Sequence, residues 1–385
     1  MRKFFVLMIA LILTVPSLGI AKDNEEFHKM MSVPGNYLGF QILAIEAGND
    51  KNYIISPTSL AIALSMLSDG ADEGTKAEII EETFISDAAS AKELQKSLCD
   101  SGIHIANALF ARNPGHIQQE YAECIKDNYN AELFTLEGID KYNNWVNENT
   151  HGLIKKALDS IDSETELILS NVSALDLQWE KPFEAKDTFE GDFFTDDEQV
   201  KQVQYLHQEF RPNEVKYMEK NSCQAIKLNY KDSDLYMIIA SVGSVSSFWS
   251  DLVFKGIGYF DDLDYVDDTV ILNVPKFDVS SDTLLKNALQ EIGICRIFES
   301  DKHFEKMYSG TEDIKVDNIL QKARVQMDES GTKAAAVTTI LLETSSIKIT
   351  EDDPIIMNAD HPFVFIIADE KTNSVCFAGV IADPQ

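Results

Sequence analysis

Seven histidines, His28, His104, His116, His151, His207, His303 and His361, are the side chains best suited to moving protons or binding metals near neutral pH. They are scattered singly, with no HExxH pair, EF-hand or Walker loop, so each reads as a surface or capping histidine. Nucleophilic catalysis has no better anchor. There is no G-x-S-x-G elbow, and although Ser345, Ser346, Ile347 and Lys348 spell S-x-x-K, that chemistry needs a shared helix start plus S-D-N and K-T-G partners, which are absent. Cys99, Cys124, Cys223, Cys295 and Cys376 are five widely spaced cysteines, so at least one is free or pairs between chains. Without a CxxC they indicate neither a disulfide scaffold nor a zinc site. Cys376 lies in the apolar run "NSVCFAGVIA", where a buried, inert thiol is expected. The sequon Asn171, Val172, Ser173 falls inside an apolar strand pattern, and burial there makes Asn171 structural rather than glycosylated.

The residues that stand out instead are "DESGTKAAAVTTILLETSSIKITEDDP", 328 to 354. Glycine, small residues, β-branched residues and an acidic, proline-closed run follow one another without a clean helical or strand face. Loops beyond about 12–15 residues are usually functional or disordered. "TKAAAVTTILL" could be an ordinary buried helix, but Gly331 at its start and Val337, Thr338, Thr339 and Ile340 within it lower helix propensity.

The elements that must position such a segment are readable. "SPTSLAIALSMLSDG" predicts a buried helix entered through Ser56 and Pro57 and broken at Asp69 and Gly70. "YNNWVNENTHGLIKKALDSI" predicts a second helical region on Trp145, Val146, Leu153, Ile154 and Leu158. "LILSNVSALDLQW" and "DDTVILNVPKF" read as strands, the latter alternating Val270, Leu272 and Val274. "HPFVFIIADEKTNSVCFAGVIADP" reads as two strands joined by an Asp369 to Asn373 turn. Helical patterns precede strand patterns, which predicts an α+β fold. The absence of linkers, repeats and low-complexity blocks favours one integrated domain.

The N-terminal "MRKFFVLMIALILTVPSLGIA" has the build of a secretory signal peptide: basic Arg2 and Lys3, an apolar run from Phe4 to Val15, and small Gly19 and Ala21. Cleavage is expected after Ala21, or at Gly19, leaving 22–385 as a secreted, extracellular domain. With 33 Lys plus Arg against 64 Asp plus Glu, the formal charge is −31. That field repels nucleic acid, anionic membrane and polyanions such as heparin, and it also gives a highly soluble surface.

"NYIISPTSLAIALSMLSDGA", "IANALFARN", "YNNWVNENTHGLI", "LILSNVSALDLQWEKPFEAKDTFEGDFF", "VPKFDVSS", "ILQKARVQMDESGTKAAAVTTI" and "NADHPFVFIIADEKTNSVCFAGVIADP" closely resemble the serpins, in that family's order, from about Glu25 to the C-terminus. The resemblance implies a single domain of three β-sheets and about eight or nine helices, monomeric, without a cofactor, exposing a reactive-centre loop at about 329–353. It implies inhibition of a serine, or in some relatives cysteine, protease: attack on the loop forms an acyl-enzyme, and the cut loop inserts as an added strand before water releases the enzyme. By strand alternation, Thr332, Ala334, Ala336 and Thr338 share the inward face, and Lys333, Ala335, Val337 and Thr339 the outward one. Small inward residues avoid an overpacking cost of about 1–3 kcal/mol per bulky group, and Gly331 is expected to supply hinge freedom.

The resemblance carries particular positions with it. Ser56, Ser59 and Asn171 match the polar cluster under the opening sheet, and Trp179 matches the aromatic residue where the loop inserts. Lys276 matches a basic residue that can pair with the hinge acid, Glu329. Gln321 departs from a frequent histidine, which alters opening energetics without removing hydrogen-bonding capacity. Family spacing from Gly331 puts the cut between Ser345 and Ser346, and shifted registers put Leu342 or Lys348 there. A non-inhibitory carrier or storage serpin is the alternative, although such members tend to have bulky, charged or proline hinges where this chain has Gly331, Thr332, Ala334, Ala335 and Ala336.

Overall fold

Ser56 and Pro57 begin a helix, as their start signal requires. Pro57–Ser68 is helical, every residue in it is buried, and it is the floor on which the functional strands rest. The computed structural model of the chain describes residues 33–152, 154–163, 165–299, 303–309, 314, 316, 319–333 and 354–384. The expected signal peptide, Leu153, the hinge alanines Ala334, Ala335 and Ala336, and Leu342, Ser345, Ser346 and Lys348 at the expected cut lie outside them.

Eight α-helices are described: α1 (Asn36–Glu46), α2 (Pro57–Ser68), α3 (Glu73–Thr83), α4 (Ala88–Asp100), α5 (Gln119–Tyr129), α6 (Ile139–Asn149), α7 (Val245–Lys255) and α8 (Lys286–Ile292). The strands are β1 (Tyr53–Ile55), β2 (Ile103–Ala111), β3 (Ala131–Thr135), β4 (Leu167–Leu175), β5 (Leu177–Gln178), β6 (Phe189–Phe194), β7 (Val200–Phe210), β8 (Lys216–Lys220) and β9 (Cys223–Asn229). They continue with β10 (Leu235–Val242), β11 (Asp264–Tyr265), β12 (Val270–Pro275), β13 (Phe277–Leu284), β14 (Leu320–Met327), β15 (Gly331–Lys333), β16 (Ile355–Asn358), β17 (Phe363–Asp369) and β18 (Val375–Ile381).

A seven-stranded sheet, β1-β18-β17-β10-β9-β8-β11, holds the most buried strands, with β17 and β18 buried along their whole length. The expected hairpin is present. Its turn is held by the Asp369 carboxylate, which accepts from the backbone N–H groups of Lys371 and Thr372 and from the Thr372 and Ser101 hydroxyls. Cys376 is buried there and burial pushes its thiol up, which leaves it protonated and unreactive. A second sheet runs β16-β12-β7-β6, and in β12 Val270, Leu272 and Val274 point into the core as their alternation predicts.

Where three sheets were expected, the described residues form four hydrogen-bonded ones. The third and fourth, β13-β14-β15-β5 and β3-β2-β4, are linked through a single stretch of chain. β4 runs into β5 and is interrupted only at exposed Asp176. The architecture is thus α+β with one interrupted strand shared by two sheets.

One helix is shorter than its sequence pattern. α6 stops at Asn149, whereas the apolar spacing continues to Leu158. Asn149 and Thr150 turn their side chains back onto the Trp145 and Val146 carbonyls, and His151 and Gly152 adopt left-handed φ of 51° and 84°, which ends a helix. The chain beyond is held extended by Asn143, whose carboxamide oxygen accepts from the Ala157 and Leu158 N–H groups at 2.8 and 2.9 Å. Ile154 and Leu158 reach the same small core as Trp145 and Val146, but not by helical continuation.

Between α1 and α3, buried Gln41 donates to Glu82 Oε2 at 2.7 Å. Burial raises the Glu82 carboxyl to about 7, opposed by that bond and assisted by neighbouring Glu81. A carboxyl whose folded pKa lies above its unfolded value favours folding in its protonated form. Its contribution is complete below the unfolded value and is lost as pH rises through 7. Glu82→Gln keeps an acceptor for Gln41 and never ionises. It should leave the melting temperature unchanged near pH 4 and raise it at about pH 8.5, by an amount worth about 1–3 kcal/mol, and parallel thermal melts at the two pH values check this.

Candidate functional site

The site is built where the chain leaves β14. Asp328 makes the turn: its Oδ1 accepts from Ser330 N and Oγ and from Gly331 N, a side-chain-locked turn of the kind aspartate favours. The chain then enters as β15, antiparallel to β14 through Gln326↔Lys333 and Met327↔Thr332, and antiparallel to β5 through Gly331↔Gln178 and Thr332↔Leu177. A strand of three residues is thereby wedged between two others.

Each wedge residue has a distinct reason to be what it is. A Cβ on Gly331 would stand 2.0 Å from the Leu177 carbonyl oxygen and 2.8 Å from Gln178 Cα. Close backbone approach to β5 therefore requires the glycine, a reason the sequence did not show, and its φ is not among the positive ones. Thr332 is 2% exposed, and its Oγ1 shares a 2.6 Å hydrogen bond with the Tyr230 hydroxyl. Burial pushes the Tyr230 phenol up, so it remains protonated, and its ring stacks on Trp179 at 4.7 Å and 10°. Trp179 clamps the turn from the other side. Its Nε1 donates to Asp328 O at 3.1 Å and its backbone N–H to Ser330 O at 3.0 Å.

Glu329 faces Lys276 and Thr188, whose Nζ and Oγ1 both donate to its Oε1 at 2.8 Å. Partial burial alone would raise this carboxyl. The Lys276 ammonium, with backbone and Thr188 hydrogen bonds, outweighs that and holds it below the usual range. Phe183 N–H caps the Glu329 carbonyl at 2.9 Å.

Below the wedge, β4 and β14 lie in separate sheets and a cleft of about 630 Å³ opens between them, lined by Leu60, Leu64, Leu169, Asn171, Ile319 and Gln321. Polar groups tie each wall to α2. On the β14 side the Gln321 carboxamide makes a two-way bond to the Ser56 backbone, accepting from N–H and donating to C=O, both at 3.0 Å. The Ser56 hydroxyl is left to donate to Cys376 O at 2.6 Å. On the β4 side Ser59 Oγ donates to Asn171 Oδ1, and Asn171 Nδ2 donates to Asn107 Oδ1 at 2.8 Å. Ser56, Ser59, Asn171 and Gln321 are therefore brought together at the floor of the cleft, and Glu329, Gly331, Thr332, Trp179 and Lys276 around the wedge at the opposite end of β14. Both neutral, fully paired networks can exchange partners without stranding a charge, as strands that part and re-pair require.

Sequence reasoning missed Tyr230, Thr188 and Asn107. No local signal points to them, for they lie 102, 141 and 64 residues from their partners Thr332, Glu329 and Asn171. Sequence reasoning also passed over the Asp328 turn, although an aspartate two and three residues before Ser330 and Gly331 is a turn signal that could have found it.

A family model described as "Serpin (serine protease inhibitor)" matches residues 37–384. The chain is 28% identical to serpin B3 of Homo sapiens, over 87% of this chain and 94% of that protein. It is also 28% identical to alpha-1-antitrypsin 1-3 of Mus musculus, over 88% and 85%. Among solved structures, human thyroxine-binding globulin complexed with thyroxine superposes with a TM-score of 0.79 at 23% identity, over 94% of this chain and 100% of that one. That last likeness concerns the fold alone.

Proposed function

The chain belongs to the serpin family, and from that premise we propose that it is a secreted suicide-substrate inhibitor of an endopeptidase, not an enzyme. The observation that carries this reading is the wedge itself: Thr332 already pairs with both β14 and β5, and it is buried. A target protease attacks the loop, its serine or cysteine displacing the amine half of the cut bond to leave an acyl-enzyme. Loop residues then follow Thr332 between β4 and β14 and carry the enzyme with them before water hydrolyses the ester. The free energy is that of a native state held kinetically rather than at its minimum.

Opening needs the Glu329–Lys276 pair to break and the Gln321–Ser56 and Ser59–Asn171 links to let the two walls separate. Heparin has no part in this reading, because a formal charge of −31 opposes polyanion binding. The N-terminal 1–21 is the secretion signal in this account, and the mature domain is 22–385. Incubation with a panel of serine and cysteine proteases tests it: an SDS-resistant complex is expected with at least one. A chain that is only clipped by every enzyme would assign a carrier or storage role instead.

The scissile bond is proposed at Ser345–Ser346, with Leu342 and Lys348 as the shifted registers. Ser345→Arg should create or strengthen trypsin inhibition by about tenfold or more, since cleft complementarity around the cut sets the attack rate. Cleavage only at Lys348, with no gain in trypsin inhibition, would show the register to be wrong, and mass spectrometry of the released C-terminal peptide reads it directly.

A further inference from the structure

His104 and His151, which the sequence scatters 47 positions apart and gives no common motif, meet in space with ring centroids 4.9 Å apart and planes inclined by 48°. His104 is on β2, on the same face as Ala106, Ala108 and Phe110, over which α6 lies. His151 follows the last turn of that helix, held at φ 51°. The Phe110 ring packs against Tyr142 and Trp145 of α6 at 5.2 and 5.8 Å. The two imidazoles thus join the end of α6 to the strand beneath it.

Two features make this pair more than a stacking contact. His104 Nε2 is buried without a hydrogen-bond partner among the described residues, and so is Asn147 Oδ1 in the last turn of α6. Buried acceptors of this kind are rarely left unpaired. Finally, nitrogen–metal bonds of about 2.0–2.1 Å in a tetrahedral site put two ring centroids about 5 Å apart, which is the separation found.

We propose that His104 and His151 form a binding site for a divalent transition metal such as Zn²⁺, clasping the end of α6 to β2. No third His, Cys, Asp or Glu joins them in a cluster among the described residues, so solvent or a carboxamide completes the coordination and the metal exchanges readily. On the insertion reading proposed above, α6 rests on β2 and β4, and β4 is one of the two walls that must part, so the clasp holds the helix to the wall that moves. The metal site itself stands on the geometry alone.

The test is calorimetric titration of the full protein with Zn²⁺ at about pH 7.5. One ion per chain is expected, with affinity falling roughly tenfold or more in His104→Gln and in His151→Asn, and falling again in the wild type at about pH 5.5, where imidazoles protonate. Asparagine suits the left-handed position of residue 151, so that variant should keep the fold, which its thermal melt confirms. His207→Gln should bind as the wild type does. Failure of the wild type to bind Zn²⁺ up to millimolar concentration, or unchanged binding in both variants, overturns the site. Binding without any effect of Zn²⁺ on protease inhibition would leave the metal site standing and instead count against the coupling to sheet opening.

Discussion

Thr332→Arg should turn the protein from an inhibitor into a substrate. Thr332 is 2% exposed and its hydroxyl meets Tyr230, whose ring is stacked against Trp179. An arginine there would carry a charge into a site where the only polar neighbour shown for the hydroxyl is a phenol. Desolvating an unpaired charge costs several kcal/mol even after relaxation, and each ~1.4 kcal/mol added to a barrier is a tenfold loss of rate. In the variant the wedge would leave the sheet to keep the arginine in solvent, so insertion would have to bury that charge and would slow, while attack on a bond far along the loop would not, and the acyl-enzyme would hydrolyse first. The stoichiometry of inhibition should rise by about tenfold or more, with the cut at the same bond and at a similar rate. Lys333 is the next residue and pairs across to Gln326, and strand alternation predicts the opposite face for it. Lys333→Arg should therefore leave the stoichiometry nearly unchanged, and equal values in the two variants would refute the alternation argument.

Opposite behaviour of these two neighbours is an expectation of the sequence, because a strand's period of two depends only on where counting starts; of the pair, the structure describes the burial of Thr332. The same period exposed Val270, Leu272 and Val274. What could not be read were contacts whose cause is distant. Gly331 looked like a hinge residue, and the reason it must be glycine is the Leu177 carbonyl 154 positions away in sequence. Helix α6 was over-extended because Ile154 and Leu158 satisfy helical spacing, while the groups that end it are side chains that turn back onto their own carbonyls. Lys276 was matched to Glu329 by family position, but Thr188, the second donor to the same oxygen, has no motif. The division between the two sheets falls at Asp176, and nothing in the sequence around it marks the break.

Cleaving the loop near Ser345 in the absence of a trapped enzyme should raise the melting temperature by roughly 10–20 °C. β14 and β5 are bridged by β15 over only three residues, and farther down β4 and β14 belong to different sheets with a cleft of about 630 Å³ between them. Strand edges facing such a cleft have N–H and C=O groups that a further strand could pair. Once cut, the chain after Lys333 can extend between them, and its inward positions Ala334 and Ala336 are small enough to enter without overpacking. Each new ladder bond nets about 0.5–1.5 kcal/mol, so about ten of them are worth on the order of 10 kcal/mol, which in a chain of this size corresponds to roughly 1–2 °C each. Scanning calorimetry of the nicked and intact proteins reads the difference. An unchanged or lowered melting temperature would exclude insertion as the source of inhibition. Nicked Thr332→Arg should gain less than nicked wild type, because its first inward residue cannot take its place against Tyr230.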